Sequence, residues 1–218
     1  LVHNETVVPL EVAQDHKCVF DGDKGPNTGG MGSYSPVKKI TSEIIDEAMN
    51  EIMKPMASAM VKEGVPFTGF LYGGLMLTEK GIKTIEFNAR FGDPEAEVIL
   101  PRLESDFVQA ILDLMDNKPV ELKWTDKVSH GVVLASTNYP ASSTKGSLIT
   151  GVDDVDGLVF HMGTKMTDEG LVTDGGRVLM VVTLEDDLQT AFDHTYKELE
   201  KIQCKDLFHR NDIGKKDM

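Results

Sequence analysis

The chain reads as an α+β protein, in which an antiparallel hairpin with amphipathic helices is followed by a small mixed α/β region, and three observations carry this reading. Over residues 41–64 the apolar side chains Ile44, Ile45, Ala48, Met49, Ile52, Met56, Ala59 and Met60 recur at helical spacing. Residues 67–77 and 82–87 have strand texture and are separated by a turn-length gap. Beyond residue 127 the texture changes to short strands punctuated by Gly and Asp, ending in a helix over residues 188–202.

Taken in order, residues 7–12 are a short apolar run broken by Pro9 and readable as a strand, and residues 21–36, rich in Gly, Asp, Asn and Pro, are expected to be loop. The helix over 41–64 has Thr41 as its cap and Gly64 as its stop, with Pro55 kinking or dividing it. Its methionines read as core fillers. The hairpin turns at residues 78–81. A second amphipathic helix spans 106–115, with Phe107, Ala110, Ile111, Leu114 and Met115 on one side and Pro119 beyond its end. After a polar segment, residues 131–135 read as a buried strand. These textures place a boundary near Lys127, giving domains 1–127 and 128–218.

At 218 residues, 40% hydrophobic and 27% charged, the chain has ordinary globular composition. Its formal net charge of −14 argues against nucleic acid or an anionic membrane as partner, since both require clustered Lys and Arg. Cys18 and Cys204 stand alone, without metal-ligand spacing, so a reducing cytoplasm is expected. No run approaches the roughly 18 apolar residues of a membrane span, and no signal peptide is evident. The chain opens at Leu1 without Met, and is expected to start inside a longer sequence.

The most informative stretch is IEFNARFGDPE, residues 85–95. Strand alternation puts Thr84, Glu86 and Asn88 on one face and Ile85 and Phe87 on the other. Glu86 and Asn88 offer hard oxygens suited to Mg²⁺ or Mn²⁺, with water and substrate phosphates completing the shell. Arg90 adds a planar fork matched to phosphate or carboxylate oxygens. Asp93 as cap, Pro94 at the first helical position and Glu95 and Glu97 in the first turn mark a helix start, whose free N–H groups favour anions. The same pattern also fits a solvated polar strand face with an Arg salt bridge.

A second stretch, DGDKGPNTGGMGSY at residues 21–34, is glycine-rich. The Lys and Ser/Thr of a P-loop are missing, Pro26 and Gly32 spoil a calcium loop, and no βαβ unit supports a dinucleotide site. What remains is a segment that could wrap an anion with main-chain N–H groups, with Lys24 adding a charge, or a plain surface turn. His161 reads as a hydrogen-bonded histidine, and the acids at 153–156 and 185–187 read as solvated turns or helix starts.

QDHK at residues 14–17, GPNTGGMGSYSP at 25–36, TGFLYGGLM at 68–76, IEFNARFGDPE at 85–95, GGRV at 175–178 and RNDIG at 210–214 occur in one order. Together they strongly resemble the phosphoribosylamine–glycine ligases, ATP-grasp enzymes of purine biosynthesis, over essentially the whole chain. The resemblance implies a truncated ATP-grasp domain up to about residue 127 and a small C-terminal domain after it. It further implies ATP-driven ligation of glycine to 5-phosphoribosylamine through glycyl phosphate, in a cytoplasmic enzyme, monomeric at full length, whose partners are only small molecules. It makes Glu86 and Asn88 the metal ligands for Mg²⁺ or Mn²⁺ and Arg90 the catalytic arginine. Substrate contact and enclosure fall to Lys24, Gly25, Pro26, Asn27, Thr28, Gly29, Gly30 and Asp93. The adenine clamp lies outside these residues, so the chain alone is expected to be inactive. Cys18 stands where the family usually has Arg, and Ala89 where Cys is frequent. Another ATP-grasp carboxylate–amine ligase and a non-catalytic nucleotide-binding module remain the rival readings.

Overall fold

The computed structural model of the protein describes all residues 1–218 and divides into two units, each assembled from several stretches of chain. The first comprises Leu1–Glu11, Lys38–Gly92 and Leu103–Thr125. The second comprises Val12–Val37, Asp93–Arg102 and Asp126–Met218. The linear division at residue 127 differs from this arrangement: two early segments, around the glycine-rich stretch and after Gly92, cluster with the C-terminal part. Their partners are far away in sequence, which no local texture reports.

In the first unit the long helix runs from Ser42 to Lys62, but residues Met49–Met53 form a π-helical turn between two α-helical stretches. Pro55 has no N–H to offer the carbonyl of Glu51, and its ring crowds that position, so the turn before it widens. The second helix, Phe107–Met115, is capped by Asp106, whose carboxylate accepts the Gln109 N–H at 2.9 Å.

The hairpin pairs Tyr72–Thr78 with Gly81–Asn88 in antiparallel register. The strand expected over 67–77 is broken at Phe70: Thr68–Gly69 pairs instead with Val2–His3, which also pairs with Thr6–Val7. The Phe70 ring stacks on Phe91 at 4.7 Å between centroids and meets Phe107 at 5.8 Å. Of the run over 7–12, only Val7 is in a strand, since Pro9 cannot donate to a ladder. The expected alternation along the hairpin also fails at one point. Gly74 pairs with Glu86 and Leu75 with Thr84, so Ile85 is a bulge residue and is 59% exposed rather than packed.

The second unit is built on an antiparallel sheet of six strands. Its order is Leu158–His161, Arg177–Glu185, Val128–Ser136, Gly32–Ser35, Gln14–Asp15, with Leu207–Phe208 pairing to the far end of Val128–Ser136. All nine residues of Val128–Ser136 are buried because both faces are covered. His130 points to the Leu188–Leu199 helix, with its ring against Phe192 and Tyr196, whereas Gly131 on the other face lies under Val98 of the short Ala96–Ile99 helix.

The expectation of loop over 21–36 is therefore corrected. Cys18–Phe20 and Lys24–Asn27 form a hairpin, and Gly32–Ser35 is a fully buried strand inside the sheet. Gly32 adopts φ +151, and a Cβ there would lie 2.6 Å from the Gly131 carbonyl oxygen. Pairing at this distance suits glycine alone. Gly32→Ala is expected to lower the unfolding free energy by about 2–4 kcal/mol through overpacking and backbone strain. Urea denaturation reads this as a lower midpoint, and an unmoved midpoint would contradict the close approach.

Candidate active site

In the first unit the end of the hairpin's second strand carries the residues expected as metal ligands. Glu86 and Asn88 follow the bulge with one residue between them, so their side chains share a side of the strand. Glu86 is exposed and Asn88 half-buried. Opposite Glu86, Gly74 leaves open the space its side chain crosses, for a Cβ on Gly74 would stand 3.1 Å from Glu86 Cγ. Two hard oxygen donors at a strand end fit a divalent ion that takes its remaining ligands from water and phosphate. No group of three or more His, Cys, Asp or Glu side chains is arranged for a metal, so this ion would have no all-protein cage. Arg90 is exposed, and its Nη1 donates to the Phe91 carbonyl at 2.8 Å, which fixes one edge of the guanidinium. Phe91 is itself held by the stack on Phe70.

The helix start expected at Asp93 and Pro94 is displaced. The first helical residue is Ala96, Glu95 precedes it without a side-chain cap, and the α-helix ends at Ile99. So short a helix offers little dipole to an anion. Asp93 is engaged elsewhere: its carboxylate stands 2.9 Å from Arg177 Nη1, which also donates to the carbonyls of Asp93 at 2.8 Å and Gly29 at 3.1 Å.

In the second unit the main-chain N–H groups of the glycine-rich stretch are already used, so they do not form the open anion cradle considered from sequence. Thr28 donates to the Lys17 carbonyl, Gly29 to the Tyr139 hydroxyl, Gly30 to the Thr28 hydroxyl and Met31 to the His16 carbonyl. This stretch is a rigid wall. Lys24, Gly25, Pro26 and Asn27 lie exposed on the preceding hairpin. The hairpin's tip is clasped by RNDIG. Arg210, 1% exposed, donates to Asp212 at 2.8 Å, Asp23 at 2.9 Å and the Cys18 carbonyl at 2.9 Å, while Asn211 holds Asp21 and Lys216 pairs with Asp23. Lys216 and then Arg210 hold the Asp23 carboxyl below the usual range. Cys18 turns its thiol to Asn27 Oδ1.

Sequence reasoning missed Asp15. Its side chain is 7% exposed, neither oxygen makes a hydrogen bond, and the Lys17 ammonium stands 3.3 Å from Oδ2. Burial, then repulsion from Glu95, pushes its carboxyl up to about 7. Glu97, with one oxygen buried and unmatched, rises to about 7 through burial and then Asp93. The one available signal was Asp15's place in QDHK, a motif that implied family but no role.

Two models of one family match this chain: phosphoribosylglycinamide synthetase ATP-grasp (A) domain over residues 1–96, and phosphoribosylglycinamide synthetase C domain over residues 129–216. The Halalkalibacterium halodurans phosphoribosylamine–glycine ligase is 52% identical over 99% of this chain and 51% of its own length. The corresponding Listeria innocua ligase is 47% identical over 99% of this chain and 52% of its own length. A crystal structure of the Thermotoga maritima phosphoribosylamine–glycine ligase superposes with a TM-score of 0.89 at 37% identity, over 98% of this chain and 54% of that one. This chain thus spans about half the length of the curated relatives it matches. Residues 1–96 match an ATP-grasp domain, which puts the chain in the class of ATP-grasp proteins. Within that class, the chain belongs to the phosphoribosylglycinamide synthetase family.

The buried groups set a testable pH dependence. Burial first, then Arg210, lowers His16 to about 4, and burial lowers His130 to about 4. Unfolded carboxyls titrate near about 4 and histidines near about 6.5. Between those values the folded state keeps protons on Asp15 and Glu97 that the unfolded chain has lost, so these acids cost increasing stability as pH rises from about 4 to 7. The histidines act oppositely. Below about 6.5 the unfolded chain binds protons that the folded one refuses, so their contribution falls away as pH drops toward about 4. Asp15→Asn should therefore stabilise the protein at pH 8 by about 1–3 kcal/mol, with the gain vanishing near pH 4.5. Urea denaturation at the two pH values checks this; an equal effect at both would contradict the buried ionisation.

Proposed function

We propose that this chain supplies the metal corner and the substrate-enclosing part of a ligase that joins glycine to 5-phosphoribosylamine, converting ATP to ADP and phosphate. The observation that carries the reading is 52% identity to a phosphoribosylamine–glycine ligase along 99% of the chain, with Glu86, Asn88 and Arg90 at one strand end. A carboxylate is a poor electrophile, so glycine is first phosphorylated to glycyl phosphate, from which the amine displaces phosphate. Bound Mg²⁺ or Mn²⁺ would neutralise charge on the ATP phosphates, held by Glu86 and Asn88. Arg90 turns the free part of its fork to oxygens on which charge builds during phosphoryl transfer.

Lys24 and Asn27 contact substrate from the exposed hairpin, Gly25 and Pro26 let the backbone come close, and Thr28, Gly29, Gly30 and Asp93 form the wall that keeps the acyl phosphate from water. The wall's internal hydrogen bonds and the Arg177 tie support that role. On this reading the whole enzyme works as a cytoplasmic monomer on small molecules alone.

In the whole ligase, Glu86→Gln should reduce turnover at least about tenfold at saturating Mg²⁺ through lost charge on the metal. Coupled measurement of ADP release checks it, and wild-type turnover would remove Glu86 from the metal site. Leaving out phosphoribosylamine should sharply reduce ADP release from the intact enzyme, which another amine acceptor would not require.

A further inference from the structure

The geometry points to Asp15 as the base that receives the amino group of the nitrogen nucleophile and takes its proton as the amide bond forms. This rests on the ligase reading above. Asp15 sits at the end of an edge strand, Gln14–Asp15, with its carboxylate against the backbone of Gly30 in the wall. A Cβ on Gly30 would stand 2.6 Å from Oδ1 and 2.3 Å from Pro94 Cδ. A carboxylate so enclosed loses hydration and ordinarily recovers it through hydrogen bonds, and Asp15 has none.

Its one cationic neighbour is instructive. The Lys17 ammonium, 3.3 Å from Oδ2, is on a side chain 40% exposed. Where a change of rotamer carries the ammonium off Oδ2, an amine of the same chemistry can take its place. Lys17 thus stands in for a substrate amine. The other charged group facing Asp15 is Glu95, whose repulsion favours a proton on the pair.

In the step assigned, the amine nitrogen's lone pair forms the C–N bond to the glycyl carbonyl carbon. The C–O bond to phosphate breaks with its electron pair leaving on phosphate, and one nitrogen-bound proton passes to Asp15 Oδ2. A base titrating near pH 7 suits this transfer.

The test compares wild type and Asp15→Asn in the whole ligase, with ATP, glycine and Mg²⁺, using either phosphoribosylamine or hydroxylamine as nucleophile. Hydroxylamine captures glycyl phosphate directly. The variant should lose at least about hundredfold in turnover with phosphoribosylamine and lose the titration near pH 7 from its rate profile, while glycine hydroxamate forms within about threefold of wild type. Equal loss with both nucleophiles, or no loss with either, overturns the role of Asp15. Absence of glycine-dependent hydroxamate in the wild type would instead sink the ligase reading itself. Urea denaturation of the variant separates misfolding from chemistry, since the substitution removes a buried charge and should not destabilise.

Discussion

The Gly131 carbonyl lies where a side chain on residue 32 would begin, and because residue 32 has none, Gly32–Ser35 can ladder onto Val128–Ser136. Much of the second unit follows from that pairing. Gly32–Ser35 draws Gln14–Asp15 onto its other edge, and Ser33 donates its hydroxyl to the Pro94 carbonyl, fixing the segment that begins at Asp93 against the same strand. Arg102 donates to the Lys127 carbonyl and the Ser35 hydroxyl, closing the far end. A strand buried on both faces tolerates this only with its polar groups matched, and these hydroxyl and guanidinium contacts supply the match.

The second theme is charge in an acidic protein. With a net charge of −14, the chain places its buried guanidinium groups where they tie backbone. Arg210 ties the hairpin tip to the C-terminal segment, and Arg177, largely buried, ties Gly29 to Asp93. Such groups donate several bonds in fixed directions, which an ammonium does not. Asp15 and Glu97 are the counterexamples, acids with unmatched oxygens in the interior.

Much was legible from residues alone. The 3.6-residue period found both helices of the first unit, the two-residue period found the hairpin, and the order of motifs identified the family. The errors were all of one kind. Gly32–Ser35 looked like loop because Gly and Ser favour turns in isolation; its strand state comes from ladder bonds to residues about a hundred positions later. Ile85 looked packed because alternation was extrapolated through a bulge. The main-chain N–H groups at 28–31 looked available because their acceptors, among them Tyr139, lie outside the motif.

By itself, the sequence determined the helical and hairpin periodicities and the family, because each depends on residues close together or on motifs in fixed order. Only the tertiary structure decided that the glycine-rich stretch is a hairpin and a core strand, that Arg177 and Arg210 hold it, and that Asp15 is buried and unmatched. These depend on desolvation and on partners distant in the chain, and neither is a property of a local run of residues.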